Sequence, residues 1–257
     1  MKPLAIDLFC GLGGWTDGLL AEGYDVIGFD IERHEYGTGG YPAQLVLQDA
    51  LTLHGSQFKD AALIVASPPC QEYSYMAMPW SRAKAIAAEY RSGERDVKNL
   101  TALFDACFRI QREAIEAAGH FIPLVVENVR GAIPWVGRSR WNFGSFHLWG
   151  DVPALMPVAR KAVKVPSIEG RRTDVGNGTR FTSTDCGIEN DGIKQSGISG
   201  VRANGKGDKW FQDGSARHGS KSSSRKAASA AIAKIPFTLS RHIAQAWKPV
   251  TRVTCQS

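Results

Sequence analysis

The sequence predicts an α/β fold: a Rossmann-like, doubly wound mixed sheet with a small basic, loop-rich region attached. Short apolar strands alternate with helical stretches through residues 1–154, which is typical of a sheet covered by helices on both faces. A Gly-rich turn follows the first strand and opens a helix, as in folds that bind ligands beyond the strand ends. After about Leu155 the chain is rich in Gly, Ser, Lys and Arg and offers few apolar residues for a core.

Each element has its own signal. The predicted strands are residues 4–9, 25–29, 45–47, 62–66, 121–126 and 146–149. A helix follows the turn at 10–14 and runs to about Glu22. A second covers about 96–118 and ends at Gly119, and a third begins at Pro236. Because Asp30, Ser67 and Glu127 each follow a strand, we expect their neighbourhoods to meet at one edge of the sheet.

Charge divides the chain into unlike halves. Residues 1–154 carry a net charge of −5, and residues 155–257 carry +11. This asymmetry is expected if a polyanion lies against the C-terminal part, although a solvated basic tail would show it too. We predict three parts: a sheet-bearing domain at 1–154, a small basic region at 155–230, and a helix at 231–257 that packs back on the first domain.

Several classes of protein are disfavoured. No apolar run approaches the roughly 20 residues of a membrane span, and the N-terminus does not read as a signal peptide, so we expect a cytoplasmic protein without a membrane partner. Five cysteines are scattered with no Cys-x-x-Cys pair, which argues against a zinc site and a disulfide framework. We predict no metal site.

The Gly-rich turn indicates a nucleoside cofactor. Gly11, Gly13 and Gly14 permit a tight turn and close approach of a ligand to bare backbone at a helix N-terminus. Asp30, at the end of the next strand, suits the two hydroxyls of a ribose. Asp49 would suit an adenine amino group, or it is a plain turn residue. These residues alone leave nicotinamide and S-adenosylmethionine both open, although adjacent Gly13 and Gly14 fit the nicotinamide fingerprint poorly.

The segment Ser67-Pro68-Pro69-Cys70-Gln71 is the sharpest signal. Two prolines fix φ and stiffen a loop that presents Cys70 just beyond an apolar strand. A cysteine held there is predicted to be a nucleophile. Cys107, by contrast, is expected to be a core residue.

Three segments together resemble the DNA (cytosine-5)-methyltransferases. Asp7-Leu8-Phe9-Cys10-Gly11-Leu12-Gly13-Gly14 is similar to that family's cofactor motif, Pro68-Pro69-Cys70-Gln71 to its catalytic motif, and Glu127-Asn128-Val129 to its Glu-Asn-Val motif. They occur in the family's order. The resemblance implies a compact bacterial or phage enzyme, in restriction-modification or another role, that methylates carbon 5 of cytosine in duplex DNA.

The resemblance also implies site residues. Cys70 would attack carbon 6 of a flipped-out cytosine, Glu127 would bind its N3 edge, and Arg140 is the clean match to an arginine motif preceding a later strand. The implied S-adenosylmethionine contacts are Phe9, Gly11, Gly13, Gly14, Asp30, Asp49 and Pro68. The implied substrate contacts are Gln71, Ser74, Asn128 and Arg138. Residues 155–230 would recognise the target, and 1–154 would hold catalysis and cofactor.

Three alternatives remain open. Cytosine in transfer RNA could be the acceptor, although that branch's Cys-Phe-Thr signature is missing from the sequence. A non-catalytic regulator that binds cofactor or DNA would have no need of both Cys70 and Glu127. A nicotinamide-dependent oxidoreductase would leave Pro-Pro-Cys-Gln unexplained. We expect double-stranded DNA as the partner of a monomeric enzyme.

Overall fold

The computed structural model describes residues 2–34, 40–70, 73, 80–157 and 233–249. Its strands are β1 (Leu4–Leu8), β2 (Asp25–Asp30), β3 (Gln44–Leu47), β4 (Ala61–Ala66), β5 (Leu124–Asn128), β6 (Trp141–Phe143) and β7 (Phe146–Gly150). Its α-helices are α1 (Gly14–Ala21), α2 (Trp80–Ser92), α3 (Val97–Ala118), α4 (Ile133–Val136) and α5 (Phe237–Ala246). Short 3-10 turns cover Ala50–Thr52, Gly55–Phe58 and Arg130–Ala132.

The described strands form one sheet in the order β3-β2-β1-β4-β5-β7-β6. The first five are parallel, whereas β7 runs antiparallel to β5 and β6 antiparallel to β7. The predicted doubly wound mixed sheet is therefore confirmed. Since parallel strands end at the same edge, β1, β2, β4 and β5 deliver their following loops to one place.

Both faces of the sheet are covered. Phe104, Cys107 and Ile110 of α3 lie in the core cluster of one face, together with Ile6 and Val126 of the sheet. Trp15 and Leu19 of α1 and Leu239 and Ile243 of α5 lie in the cluster of the other face. We refer below to the α3 face and the α1 face.

The long helix α3 is placed as predicted. The Asp96 carboxylate accepts a hydrogen bond from the Lys98 amide (2.9 Å) and so caps its first turn. Gly119 ends it in the left-handed conformation, with φ of 69°. The predicted end at Gly119 is confirmed, and Cys107 is a core residue as expected.

One predicted strand was displaced. Residues 121–126 were expected as the strand, with Glu127 and Asn128 beyond it, but the strand is Leu124–Asn128. Glu127 and Asn128 pair with Leu148 and His147 of β7, so the antiparallel neighbour extends the strand to its polar end. Helix α2 and the turns after β3 were not predicted.

The C-terminal helix α5 packs on α1. Arg241 lies 2.7 Å from Glu22, and the Tyr24 hydroxyl donates to the Ala244 carbonyl (3.0 Å). The side chains of His242 and Trp247 form hydrogen bonds with the carbonyls of Leu155 (2.8 Å) and Asp151 (2.9 Å), respectively. The boundaries predicted at 155 and 230 stay predictions, because residues 158–232 lie outside the described residues.

Candidate active site

The loop that carries Cys70 is tied to its surroundings before it begins. Ser67, directly after β4, donates its amide to the Leu8 carbonyl (3.2 Å). Its hydroxyl accepts a hydrogen bond from the indole N–H of buried Trp15 on α1 (2.9 Å). The helix that follows the Gly-rich turn therefore also positions the start of the Pro-Pro-Cys loop.

Asn128 ties the same loop to β5. Its side chain is fully buried, its Nδ2 donates to the Pro68 carbonyl (3.0 Å), and its Oδ1 accepts from the Val129 amide (2.8 Å). The neighbouring Glu127 is 3% exposed. Because β4 and β5 are adjacent parallel strands, Cys70 and Glu127 emerge at the same edge of the sheet. These contacts of Asn128 are those of a positioning residue, and the substrate contact predicted for it stays a prediction.

Tyr73 holds the far side of the loop. Its amide donates to the Cys70 carbonyl (3.1 Å), and its hydroxyl donates to the Leu100 carbonyl on α3 (2.6 Å). The Tyr73 carbonyl also lies so close to Gly131 that a Cβ there would collide with it. Cys70 is thus fixed from both sides. Gln71 and Ser74, predicted to contact substrate, lie outside the described residues.

The three described cysteines differ in their fitness as nucleophiles. Burial raises the pKa of the Cys10 thiol and that of the Cys107 thiol far above the ordinary range. Both cysteines therefore stay in the unreactive thiol form. Cys70 is instead half-buried at the end of a constrained loop. Among described cysteines, its accessibility suits attack on a substrate.

The glycines of the turn and of α1 have different tasks. At Gly13 a Cβ would lie 2.6 Å from the Pro42 ring, at Gly14 it would collide with the Ile235 backbone, and at Gly18 with the backbone of α5. Gly11 has φ of 50° and nothing nearer to its missing Cβ than the Phe9 carbonyl at 4.0 Å. Gly11 is thus the glycine of the turn that leaves room for a ligand, whereas the bare Cα atoms of the others accommodate protein.

Phe9 and Asp30 shape the same turn. Phe9 has a positive φ of 57°, a conformation that costs free energy for a non-glycine residue. Asp30 accepts the Gly11 amide on Oδ2 (2.9 Å) and the Ile31 amide on Oδ1 (2.8 Å). The acid predicted to bind a ribose therefore also fixes the turn beside which the ribose would lie.

Asp49 has a local structural task. Its carboxylate accepts the Leu51 amide (2.9 Å) and so caps the short turn after β3. The apolar side chains that follow the two acids were missed by the sequence reasoning. Ile31 is 75% exposed and Leu51 is 49% exposed, both at the edge of the sheet where β2 and β3 end. The available signal was an apolar residue shortly after each strand-end acid.

A buried acid lies beneath the turn. Asp7, in β1, accepts a hydrogen bond from Thr16 on α1 (2.7 Å), and the Thr16 hydroxyl lies 2.6 Å from that of Tyr41. Its Oδ1 is buried without a hydrogen bond. Burial, the largest cause, raises the pKa of Asp7 from 3.8 to about 7.

Arg138 and Arg140 line one cavity. Its volume is about 490 Å³, and Phe104 of α3 and Trp149 of β7 line it too, on the α3 face. Val126 faces α3. Because neighbouring side chains of a strand point to opposite faces, the Glu127 side chain points to the other face of the sheet. The structure places Arg140 beside this cavity, and the catalytic role predicted for it stays a prediction.

Comparison with known proteins identifies this arrangement. Residues 4–131 match the family model of the C-5 cytosine-specific DNA methylases. The matched range carries the Gly-rich turn, Cys70 and Glu127 in one alignment. The chain belongs to the C-5 cytosine-specific DNA methylase family. Membership in a family of methyltransferases implies a methyl donor. The range ends before Arg138 and Arg140, so the match does not extend to the arginine cavity.

Solved structures are similar to parts of this methylase-family chain. A putative DNA modification methyltransferase from an E. coli prophage is 22% identical over 51% of the chain and 33% of its own length, with a TM-score of 0.33. The Dnmt2 methyltransferase of S. pombe is 17% identical over 53% of the chain and 37% of its own length, with a TM-score of 0.35. The chain thus spans about a third of the length of these structures. No curated protein matches it.

Two further features concern the described residues alone. Among them, no group of three or more His, Cys, Asp and Glu residues could hold a metal ion. Of the described helices, none combines the length and apolar character needed to cross a bilayer.

Proposed function

We propose that the chain transfers a methyl group from S-adenosylmethionine to carbon 5 of cytosine in duplex DNA, with Cys70 as nucleophile. The observation that carries this proposal is the joint placement of Cys70 and Glu127 at the ends of adjacent strands, with Asn128 of β5 bonded to the Pro68 carbonyl of the Cys70 loop. A loop held at several points keeps its nucleophile within the narrow range of positions from which attack is productive.

The proposed chemistry begins at Cys70. Its thiolate adds to carbon 6 of the ring, and the electron pair displaced from the double bond makes carbon 5 nucleophilic. Glu127, at the neighbouring strand end, stabilises the charge developing on the N3 edge. Transfer of the methyl group to carbon 5 would leave the donor as its thioether. A base then takes the carbon-5 proton, the electron pair of that bond restores the C5–C6 double bond, and the bond to Cys70 breaks to return the thiolate. The cytosine must leave the duplex for this, because carbon 6 is inaccessible within the stack.

The residues at the ends of β1, β2 and β3 fit the proposed methyl donor. Gly11 leaves open space beside its backbone, Asp30 presents a carboxylate, and Ile31 and Leu51 offer exposed apolar surface suited to the faces of a purine. When bound there, S-adenosylmethionine supplies an electrophilic methyl group. We do not assign donor contacts to Gly13 and Gly14 beyond their part in the turn, since their bare Cα atoms face Pro42 and Ile235.

The proposed nucleic-acid partner is supported by charge. Residues 155–257 carry a net +11, which would neutralise phosphates in a largely sequence-independent way. We propose that this part holds the DNA, and that residues 155–230 include the recognition region.

Transfer of label from tritiated S-adenosylmethionine tests the proposal. We expect label in duplex DNA with the native chain, and none with Cys70→Ser, because a serine hydroxyl is a far weaker nucleophile. Cys107→Ala is the matched control: it removes a buried cysteine of α3 and should keep activity. Label in transfer RNA but not in DNA would show that the methyl acceptor is RNA, and would overturn duplex DNA as the substrate. No label in either, with S-adenosylmethionine still bound, would overturn the enzymatic function in favour of a regulator.

A covalent adduct tests the role of Cys70 directly. Duplex DNA with 5-fluorocytosine should trap the enzyme, because fluorine cannot leave carbon 5 as the proton does. The adduct should form with the native chain and with Cys107→Ala, and be missing with Cys70→Ser. A trapped adduct on Cys70→Ser would remove Cys70 from the mechanism.

A further inference from the structure

The arginine cavity lies outside the strand-end site. It is bounded by Arg112, Phe104 and Phe108 of α3 on one side, and by Arg138, Arg140 and Trp149 on the other. Its aromatic residues are Phe104, Phe108 and Trp149, and three guanidinium groups from two separate segments border it. The turn Arg130–Ala132 and helix α4 connect the Arg138 segment to the strand end that carries Glu127.

The charges of this cavity are unbalanced. Within the described residues, Arg112, Arg138 and Arg140 have no ion pair. The neighbouring Asp105 accepts a hydrogen bond from the Thr101 hydroxyl (2.7 Å). Arg109, one turn from Arg112 on the same helix, shows the alternative, because it bonds to Glu113 (3.0 Å) and to the Leu53 carbonyl (2.8 Å). Of these two arginines of α3, Arg109 is therefore structural, whereas Arg112 is open to a ligand.

The cavity is also an exception in its surroundings. Residues 1–154 carry a net charge of −5, whereas the cavity gathers three arginines against one aspartate. A local excess of positive charge in an acidic domain attracts an anion to that place in preference to the rest of the domain. Guanidinium groups match the oxygen geometry of phosphate and form paired hydrogen bonds with it.

We propose that the arginine cavity binds backbone phosphate of the DNA outside the target cytosine. This inference rests on the proposed function, since it takes DNA as the partner. The contact would position the duplex on the α3 face without reading its sequence, because phosphate contacts carry no base information. It assigns Arg138 and Arg140 to DNA backbone rather than to the reacting base.

Sequence-independent duplex binding measured against salt concentration tests the proposal. Removal of one phosphate-binding side chain lowers the slope of log K against log salt by about 0.9. Arg112→Gln and Arg138→Gln should each lower that slope by about this amount. The fold-loss of affinity between 50 and 200 mM salt should then be about three- to fourfold smaller in each variant than in the native chain. Both side chains are exposed, so the variants should fold. An unchanged slope in both variants overturns the proposal.

Lys59→Gln is the matched control. It removes one exposed positive charge just before β4, at the end of that strand opposite the Cys70 loop, and should leave the slope unchanged. An equal fall of the slope in Lys59→Gln would mean that general charge is responsible, and would overturn a specific site. A deoxynucleoside monophosphate titrated alone separates the two sources of phosphate. If it binds in an Arg138-dependent way while duplex binding keeps its slope, the cavity is a nucleotide site and the proposal fails.

The trapping reaction keeps this inference apart from the proposed function. A native chain that forms the 5-fluorocytosine adduct, with unchanged salt slopes in the arginine variants, defeats the cavity proposal alone. Lowered slopes in the variants, with no adduct from the native chain, defeat the proposed function and support the cavity as a phosphate site.

Discussion

Replacement of Asp7 by asparagine should make the stability of the protein depend less on pH. Asp7 is fully buried in β1, and its pKa is raised to about 7 chiefly by desolvation of its charged form. The unfolded chain releases the same proton near the ordinary value of 3.8. Between these values the native state holds a proton that the unfolded state has released. The free energy of unfolding therefore falls as pH rises from about 4 to about 7.

The size of this effect follows from the two pKa values. Their difference, at 1.36 kcal/mol for each pH unit, corresponds to about 4 kcal/mol of stability that the native chain gives up and Asp7→Asn keeps. Asparagine preserves the volume and an oxygen that accepts from Thr16. Urea denaturation followed by circular dichroism, at pH 4 to 8, measures the difference between variant and native chain. It should grow by about 4 kcal/mol toward alkaline pH.

Asp25→Asn is the control for that experiment. The Asp25 side chain is 65% exposed beside Lys2, so its replacement should change stability little and almost uniformly across the pH range. If the Asp7→Asn difference is the same at pH 4 and pH 8, burial of Asp7 does not set its protonation, and the reasoning is refuted.

Three other substitutions test how the site is held. Asn128→Ala should cost about 1–3 kcal/mol and slow 5-fluorocytosine adduct formation while leaving S-adenosylmethionine affinity intact, since the Pro68 carbonyl is left without its donor; an unchanged adduct rate would contradict a positioning role. Tyr73→Phe should cost about 1 kcal/mol in urea denaturation by removing only the hydroxyl bonded to Leu100. Gly18→Ala should lower the melting temperature, because a methyl group would displace α5 at a cost of about 1–3 kcal/mol; an unchanged value would mean that α5 yields freely.

The fold was predictable where its signals are local. Asp96 and Gly119 mark the ends of α3 by their own chemistry, and apolar runs mark the parallel strands. The extension of β5 through Asn128 was not predictable in this way. It depends on pairing with β7, a strand that lies about twenty residues later and whose antiparallel direction the run of residues does not reveal.

The candidate site shows the same division. The constrained position of Cys70 could be predicted from its prolines. The tasks of Gly13, Gly14 and Gly18 could not, because their contacts come from residues far along the chain. The local sequence does not distinguish a glycine that faces a ligand from one that faces a helix. The place of Arg140 beside the α3 face could not be predicted either, because it depends on the packing of α3 against β7.

The contacts of α5 with the end of the sheet domain bear on how this protein could change over evolution. His242 and Trp247 bind the carbonyls of Leu155 and Asp151, so the chain just before residues 158–232 is fastened to the chain just after them. A segment whose two ends are fastened together is an insertion in the architectural sense, and its length and composition can vary with little effect on the host domain. On the proposed assignment of target recognition to residues 155–230, a change of target would then require no change in the sheet.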